Sequence, residues 1–293
     1  MGAEGKGMSI RERNGKKLAY LDEGRGDPAF VFVHGWTCNR SYFSLQHDHF
    51  KAGHRVVSVD LRGHGQSDQP QSGYAIRDQA EDIAWLIGEL GLDRPIAVGH
   101  SLGGLVVLEL AAEHPGSVRA IVMLDPAPLA LPAAARGRLQ NLVEAIEAGN
   151  QQPRRAFIAS MFPPASPPEL RARITEEMCA VPTAVAVGTM RGTLDYDGVA
   201  AAKKVSVPAL HLAGTPPRNA PHLMTEWLPS VVNGWPVGTG HFNMIEAPIQ
   251  VNDMIEQFVG KYVTRGTGNE DAVAVPSLVS SDPRANRGSP SST

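Results

Sequence analysis

The stretch Gly99-His100-Ser101-Leu102-Gly103 holds a serine between small residues, directly after the apolar run Pro95-Ile-Ala-Val-Gly-His100 and at the start of a helical pattern. A sharp strand-to-helix turn of this kind strains the serine backbone, exposes its hydroxyl, and needs small residues where neighbouring chains approach. The helix N-terminus behind it favours developing negative charge. A serine hydroxyl alone is a weak nucleophile at neutral pH. It needs a histidine to take its proton and return it to the leaving group, and a carboxylate to hold the imidazole tautomer. His241, in Thr239-Gly-His-Phe-Asn-Met, follows the last strand-like run and is the candidate base. Val33-His-Gly-Trp36 ends an earlier strand-like run. An acyl-transfer site needs two backbone donors for its oxyanion, and the N–H groups of Trp36 and Leu102 are placed to supply them.

These residues need a scaffold that brings distant segments to one edge. The runs at 30–34, 55–60, 95–100 and 119–125 are short, mostly apolar and closed by turn or polar residues, as parallel strands buried on both faces are. Between them, 76–92 and 102–114 carry apolar residues at helical spacing. The alternation predicts an α/β fold with a mostly parallel central sheet and helices on both faces. After Asp125 the chain turns rich in Ala, Pro, Arg and Met without strong strands, which predicts an inserted helical cap over 128–202. Strand patterns return at 205–213 and 231–237, and a closing amphipathic helix covers 248–262. We therefore expect an N-terminal extension at 1–17, a core made of 18–127 and 203–263, and a disordered tail at 264–293, where Gly, Ser, Pro, Asn and Asp dominate.

Composition narrows the function classes. The 293 residues are 42% hydrophobic, enough for a full core, and one catalytic domain is the default at this size. With Lys+Arg 27 against Asp+Glu 30 there is no basic excess to hold a phosphate backbone, so nucleic acid is not an expected partner. Cys38 and Cys179 stand far apart in no redox or zinc spacing, which fits a reducing compartment. The start carries no apolar leader, Met8 is a possible native start, and no segment is long and apolar enough for a bilayer. The expectation is a cytoplasmic protein with a small-molecule substrate and no membrane partner. His47-Asp48-His49 lacks a convincing third ligand, so neither metal nor cofactor is expected. Oligomeric state is left open.

His-Gly-Trp at 34–36, Asp-Leu-Arg-Gly-His-Gly-Gln-Ser at 60–67, Gly-His-Ser-Leu-Gly-Gly at 99–104 and Gly-His-Phe at 240–242, in that order, resemble the α/β-hydrolase fold superfamily over about 18–262. The resemblance implies Ser101 as nucleophile, His241 as base and a cap over the site. It makes Asp60, Arg62 and His64 scaffold residues. With Ser at the nucleophile position, it does not point to a dehalogenase or epoxide hydrolase.

The commoner family pattern puts the acid in the loop after the strand ending near 211–213. Here that loop, Gly214-Thr-Pro-Pro-Arg-Asn-Ala220, holds no Asp or Glu. Asp125 ends the strand after the elbow helix and is the expected replacement; Asp195, Asp197 and Glu226 are weaker candidates. A subset resembling zearalenone lactonases and, more distantly, cofactor-free quinoline dioxygenases carries its acid at this earlier strand. The expected activity is hydrolysis of a small, partly apolar carboxylic ester or lactone through an acyl-enzyme. Trp36, Met161, Phe162 and Met190 are candidates for the substrate pocket, with Phe157 and Met178 also available from the cap. Two alternatives stand beside it. A cofactor-free oxygenase would use only His241 and Asp125, although the dioxygenases carry a histidine after the elbow serine where this chain has Leu102. A hydrolase-like receptor would keep the triad but turn over slowly.

Overall fold

A computed structural model describes residues 8–263. The expected tail at 264–293 lies outside the described residues.

Residues expected to lie outside the core open the sheet instead. Strand β1 (Met8–Arg13) pairs antiparallel with β2 (Lys16–Glu23). Asn14 and Gly15 between them have φ of 52° and 73°, the double positive φ of a tight hairpin turn for which Asn-Gly is the favoured pair. The strand at 8–13 escapes an apolar-pattern reading because it is an edge strand, largely exposed and polar. Among the described residues the sheet thus already includes Met8, ten residues before the expected boundary of 18.

The remaining strands are β3 (Phe30–Val33), β4 (Val56–Val59), β5 (Ile96–His100), β6 (Ala120–Leu124), β7 (Ala209–Leu212) and β8 (Val231–Gly234). They form one eight-stranded sheet in the order β1-β2-β4-β3-β5-β6-β7-β8, parallel from β4 to β8. Every residue of β3, β4, β5, β6 and β7 is buried, which is why these strands read as continuous apolar runs with no alternation. Strand β7 is shorter than the apolar pattern from 205, since Pro208 has no N–H to give the ladder, and β8 stops before Pro236.

Helices α1 (Ser44–Phe50), α2 (Ile76–Glu89) and α3 (Leu102–Glu113) link the first parallel strands. Five helices then stand between β6 and β7: α4 (Ala133–Glu147), α5 (Gln152–Ala159), α6 (Pro168–Ala180), α7 (Thr183–Leu194) and α8 (Gly198–Ala202). The last described residues hold α9 (Pro221–Trp227), α10 (Asn243–Glu246) and α11 (Pro248–Phe258), which runs on into a π-turn at Val259–Val263. Helix α3 is apolar all round and almost wholly buried, packed between the sheet, α2 and α8, while α1 packs with α11 elsewhere on the sheet.

The segment Asp60–Ser67 is a scaffold turn. Asp60 accepts hydrogen bonds from the backbone N–H groups of Arg40 (2.8 Å) and Gln66 (2.9 Å) and pairs with the Arg40 guanidinium. Arg62 Nε donates to Asp82 at 2.6 Å. Among the described residues no helix is long and apolar enough to cross a membrane.

Phe32 in β3 is fully buried against Phe43 and Phe50, with ring centroids 5.0 and 6.2 Å away. Phe32→Ala is expected to cost about 3–5 kcal/mol, the range for an aromatic lost from a close-packed core. The midpoint of urea unfolding reads this loss directly.

Candidate active site

Ser101 sits at the turn from β5 into α3 with φ 53° and ψ −115°, a region in which a non-glycine residue is strained by about 1–3 kcal/mol. The surrounding packing holds it there. A side chain on Gly99 would run into the Gly103 carbonyl, and one on Gly103 into the Val33 carbonyl, so only glycine fits at either place. The Ser101 N–H donates to Leu124 O at 3.1 Å, and the Ser101 carbonyl accepts from Gly104 (2.9 Å) and Ala127 (3.0 Å). The elbow is thereby fastened to both sides of Asp125.

His241 arrives from the far end of the chain and is held through its backbone. Its N–H donates to Met161 O at 3.0 Å, and its carbonyl accepts from His100 Nε2 at 2.8 Å. His241 Nε2 lies 2.9 Å from Ser101 Oγ, and its Nδ1 lies 2.6 Å from Asp125 Oδ2. The structure thus brings Ser101, His241 and Asp125 into one buried line. Of the other carboxylates considered, Asp197 caps α8 by accepting from Ala200 N at 3.0 Å, while Asp195 and Glu226 are exposed. Among the described residues none of the three bonds to His241.

The loop that lacks an acid serves the acid. Gly214 N–H donates to Asp125 Oδ1 at 3.0 Å, and Arg218 Nε–H to Asp125 Oδ2 at 3.2 Å. Asn219 ties the same loop to the chain after Asp125, accepting from Leu129 N at 2.8 Å and donating to Pro126 O at 2.9 Å. Arg218 Nε also lies 2.8 Å from His241 Nδ1. A carboxylate oxygen 2.6 Å from Nδ1 requires the proton to be on Nδ1, since two acceptors would otherwise face each other. Arg218 therefore donates to Asp125 and only abuts the ring, and Nε2 faces Ser101 Oγ as an unprotonated acceptor. Sequence reasoning missed Arg218; its one signal was a guanidinium standing where the commoner pattern places a carboxylate.

Burial would raise the Asp125 carboxyl, but the hydrogen bond and charge of His241, the Arg218 charge and the Gly214 N–H outweigh it and hold Asp125 ionised below its ordinary range. Burial, and after it the Arg218 charge, bring His241 down to about 4 against the opposing pull of Asp125. The imidazole is therefore neutral at ordinary pH. His100, fully buried, is likewise depressed by burial first and by His241 next.

At the end of β3, Leu61 N–H donates to His34 Nε2 at 3.0 Å, which leaves the proton on Nδ1 to donate to Gly35 O at 2.9 Å. His34 thus fixes the loop carrying Trp36. Leu102 is the first residue of α3, so its N–H has no partner within the helix. Among the described residues neither it nor the Trp36 N–H has a backbone acceptor. The Trp36 indole N–H donates to Ala186 O in α7 at 2.8 Å, and its ring meets Phe157 edge-on at 5.9 Å. This links the loop to the inserted helices.

A chamber of about 740 Å³ opens over Ser101 and His241, walled by Trp36, Leu102, Met161 and Met190 with residues of α4 and α5. Phe162 is not in its wall. It stacks on Phe242 at 4.9 Å and lines a neighbouring cavity of about 500 Å³ that also touches Asp125, Arg218 and His241. Met178 is buried away from both, and its carbonyl accepts from Arg154. His47 bonds to Ser58 at 2.7 Å and His49 to Glu256 at 2.7 Å, on separate partners.

A mostly parallel sheet with a strained serine elbow at its carboxyl edge, a late histidine and inserted helices is the arrangement of the α/β-hydrolase fold. A profile of the alpha/beta hydrolase fold matches residues 28–162. An AB hydrolase superfamily protein of Bacillus subtilis is 28% identical over 265 residues, 86% of this chain and 98% of its own length. The 2-(acetamidomethylene)succinate hydrolase of Mesorhizobium japonicum is 40% identical over 111 residues, 38% of this chain and 40% of its own. Among solved structures, the enol-lactonase of Burkholderia xenovorans LB400 superposes with a TM-score of 0.76 at 19% identity, covering 86% of this chain and 100% of that one. These matches and the sheet order give the chain the α/β-hydrolase fold.

The Arg218 charge opposes protonation of His241, so its removal has a definite sign. In NMR titration the wild-type His241 ring is expected to protonate only near 4, and Arg218→Gln to move that midpoint upward. An unchanged or lowered midpoint would show that the guanidinium does not act on the ring.

Proposed function

We propose that this protein is a serine hydrolase that cleaves a small, partly apolar carboxylic ester or lactone through an acyl-enzyme. The observation that carries the reading is the unbroken buried relay from Ser101 Oγ through His241, with spacings of 2.9 and 2.6 Å to Ser101 and Asp125, at the floor of the 740 Å³ chamber. His241 Nε2 takes the proton as Ser101 Oγ attacks the acyl carbon. The carbonyl oxygen gains the negative charge, and the N–H groups of Trp36 and Leu102 stabilise it. Asp125 stabilises the imidazolium, which then returns the proton to the departing oxygen. A water molecule, deprotonated by His241 in turn, releases the acid and restores Ser101.

The names of the similar proteins, a hydrolase and an enol-lactonase among them, agree with a small-molecule substrate. The apolar walls given by Trp36, Leu102, Met161 and Met190 agree with a partly apolar one. Within this reading the protein acts in the cytoplasm, a placement supported by two free cysteines, one of them buried.

Short alkyl esters, aryl esters and lactones form the substrate screen. Ser101→Ala is expected to abolish hydrolysis nearly completely, because nucleophile and base act as a unit. Asp125→Asn keeps the shape but cannot stabilise the imidazolium, and is expected to lower kcat by about 10⁴, the loss known for this change in the serine-protease example. Substrate consumption coupled to oxygen uptake and unchanged in Ser101→Ala would replace the hydrolase with a cofactor-free oxygenase. A single burst without steady turnover would mark a receptor.

A further inference from the structure

Two guanidinium groups, Arg218 and Arg138, line the chamber that holds Ser101 and His241, and no Asp or Glu side chain lines it. Arg218 engages Asp125 through Nε alone. Among the described residues its two outer nitrogens have no protein acceptor. The outer end of the fork is thus free to bind a second carboxylate, one imidazole ring away from Ser101, where Arg218 borders both the chamber and the neighbouring cavity.

Arg138 stands on α4 with Ala135, Leu139 and Leu142, at the spacing of one helical face, and these four residues all line the chamber. A cation interrupts an otherwise apolar stripe there. Among the described residues Arg138 has no ion pair and no hydrogen bond, in contrast to Arg136, which donates to Leu194 O, and Arg191, which pairs with Glu147 at 2.7 Å. The charge of Arg218 is balanced from behind by Asp125; that of Arg138 is not. Arg138 is exposed to solvent, which screens its charge in part, but no protein group pairs with it where it borders the chamber.

We propose that the substrate carries a carboxylate of its own besides the acyl bond cleaved at Ser101, held by the outer nitrogens of Arg218 and by Arg138. The apolar wall takes the carbon chain between the two ends. This specifies the substrate class of the hydrolase proposed above and rests on that reading for the cleavage, although not for the binding of the anion.

The test compares esters that differ only in this charge. Mono(4-nitrophenyl) adipate is set against 4-nitrophenyl hexanoate, with the anion on the acyl side, and 4-carboxyphenyl hexanoate against phenyl hexanoate, with it on the leaving side. The anionic member of at least one pair is expected to have the higher kcat/KM by about 10- to 100-fold, the ratio a charge-assisted hydrogen bond sustains. That ratio is expected to shrink as ionic strength rises. Arg138→Leu and Arg218→Gln are each expected to collapse the ratio toward one. Using a ratio matters, since Arg218→Gln also disturbs His241 and lowers both rates together. Wild-type ratios at or below one for both pairs, or ratios unmoved in both variants, overturn the proposal. Calorimetric titration of Ser101→Ala with the monoanion of monomethyl adipate and with neutral methyl hexanoate separates the two readings. Tighter binding of monomethyl adipate, lost in the double variant Ser101→Ala/Arg138→Leu, supports the anion site even if no ester is cleaved; equal binding overturns it. Absence of Ser101-dependent cleavage of any ester bears instead on the hydrolase.

Discussion

The Asp125 carboxylate is the point on which the site depends. It is buried at the end of β6, where its backbone N–H donates to Leu212 O of the neighbouring strand at 2.7 Å, and it adopts a positive φ of 37°. A buried charge with no partners would cost several kcal/mol, and here three donors meet it: the imidazole of His241, the N–H of Gly214 and the guanidinium of Arg218. Each comes from a different stretch of backbone or reaches a different oxygen. The carboxylate therefore fixes the late histidine and the loop after β7 relative to one another. It also settles the tautomer, and so decides that Nε2 faces Ser101 as an acceptor.

Around that charge the site is held by backbone. Ser101 is bonded to Leu124 and Ala127 on either side of Asp125, so Ser101 and Asp125 are coupled through main-chain atoms that no rotamer change can loosen. The two glycines of the elbow permit approaches that a methyl group would forbid, and the packed sheet edge holds the strain. His34 fixes the loop after β3 in the same manner, by a tautomer set through one backbone donor and one backbone acceptor. The inserted helices are joined to this edge through the Trp36 indole bond to Ala186, and through the Met161 carbonyl, which accepts from His241 N–H. The chamber wall and the triad thus share supports.

That His241 meets a carboxylate from the end of β6, and not from the loop after β7, has a simple physical basis. Adjacent parallel strands run about 4.8 Å apart and finish at the same edge, so a carboxylate on either can reach the same imidazole nitrogen. With Asp125 at the end of β6 in contact with His241, the loop after β7 is free to carry donors. Gly214 and Arg218 take that role, and the guanidinium keeps outer nitrogens for the chamber.

Much of this was legible in the residue order. Ser101 and His241 stood out because a nucleophile between glycines at a strand-helix boundary, and a histidine after the last strand, are local patterns carried by a few consecutive residues. The parallel sheet followed from burial, since fully buried strands are mostly apolar, with Ser58, His100 and His211 as buried exceptions. Asp125 could be proposed because a helix and a strand separate it from Ser101, which returns the chain to the same edge. The Asn-Gly turn at 14–15 was also legible, yet the polar edge strand before it hid the hairpin. Other features were decided only by the tertiary structure. Arg218 gains its meaning from contacts 23 and 93 residues away, and nothing in its neighbours announces them. Met161 and Phe162 are adjacent and both apolar, but one lines the chamber over Ser101 and the other stacks on Phe242. Periodicity records which side of an element is apolar; which of two apolar side chains meets a cavity depends on how separate elements pack, and that is set by the whole fold.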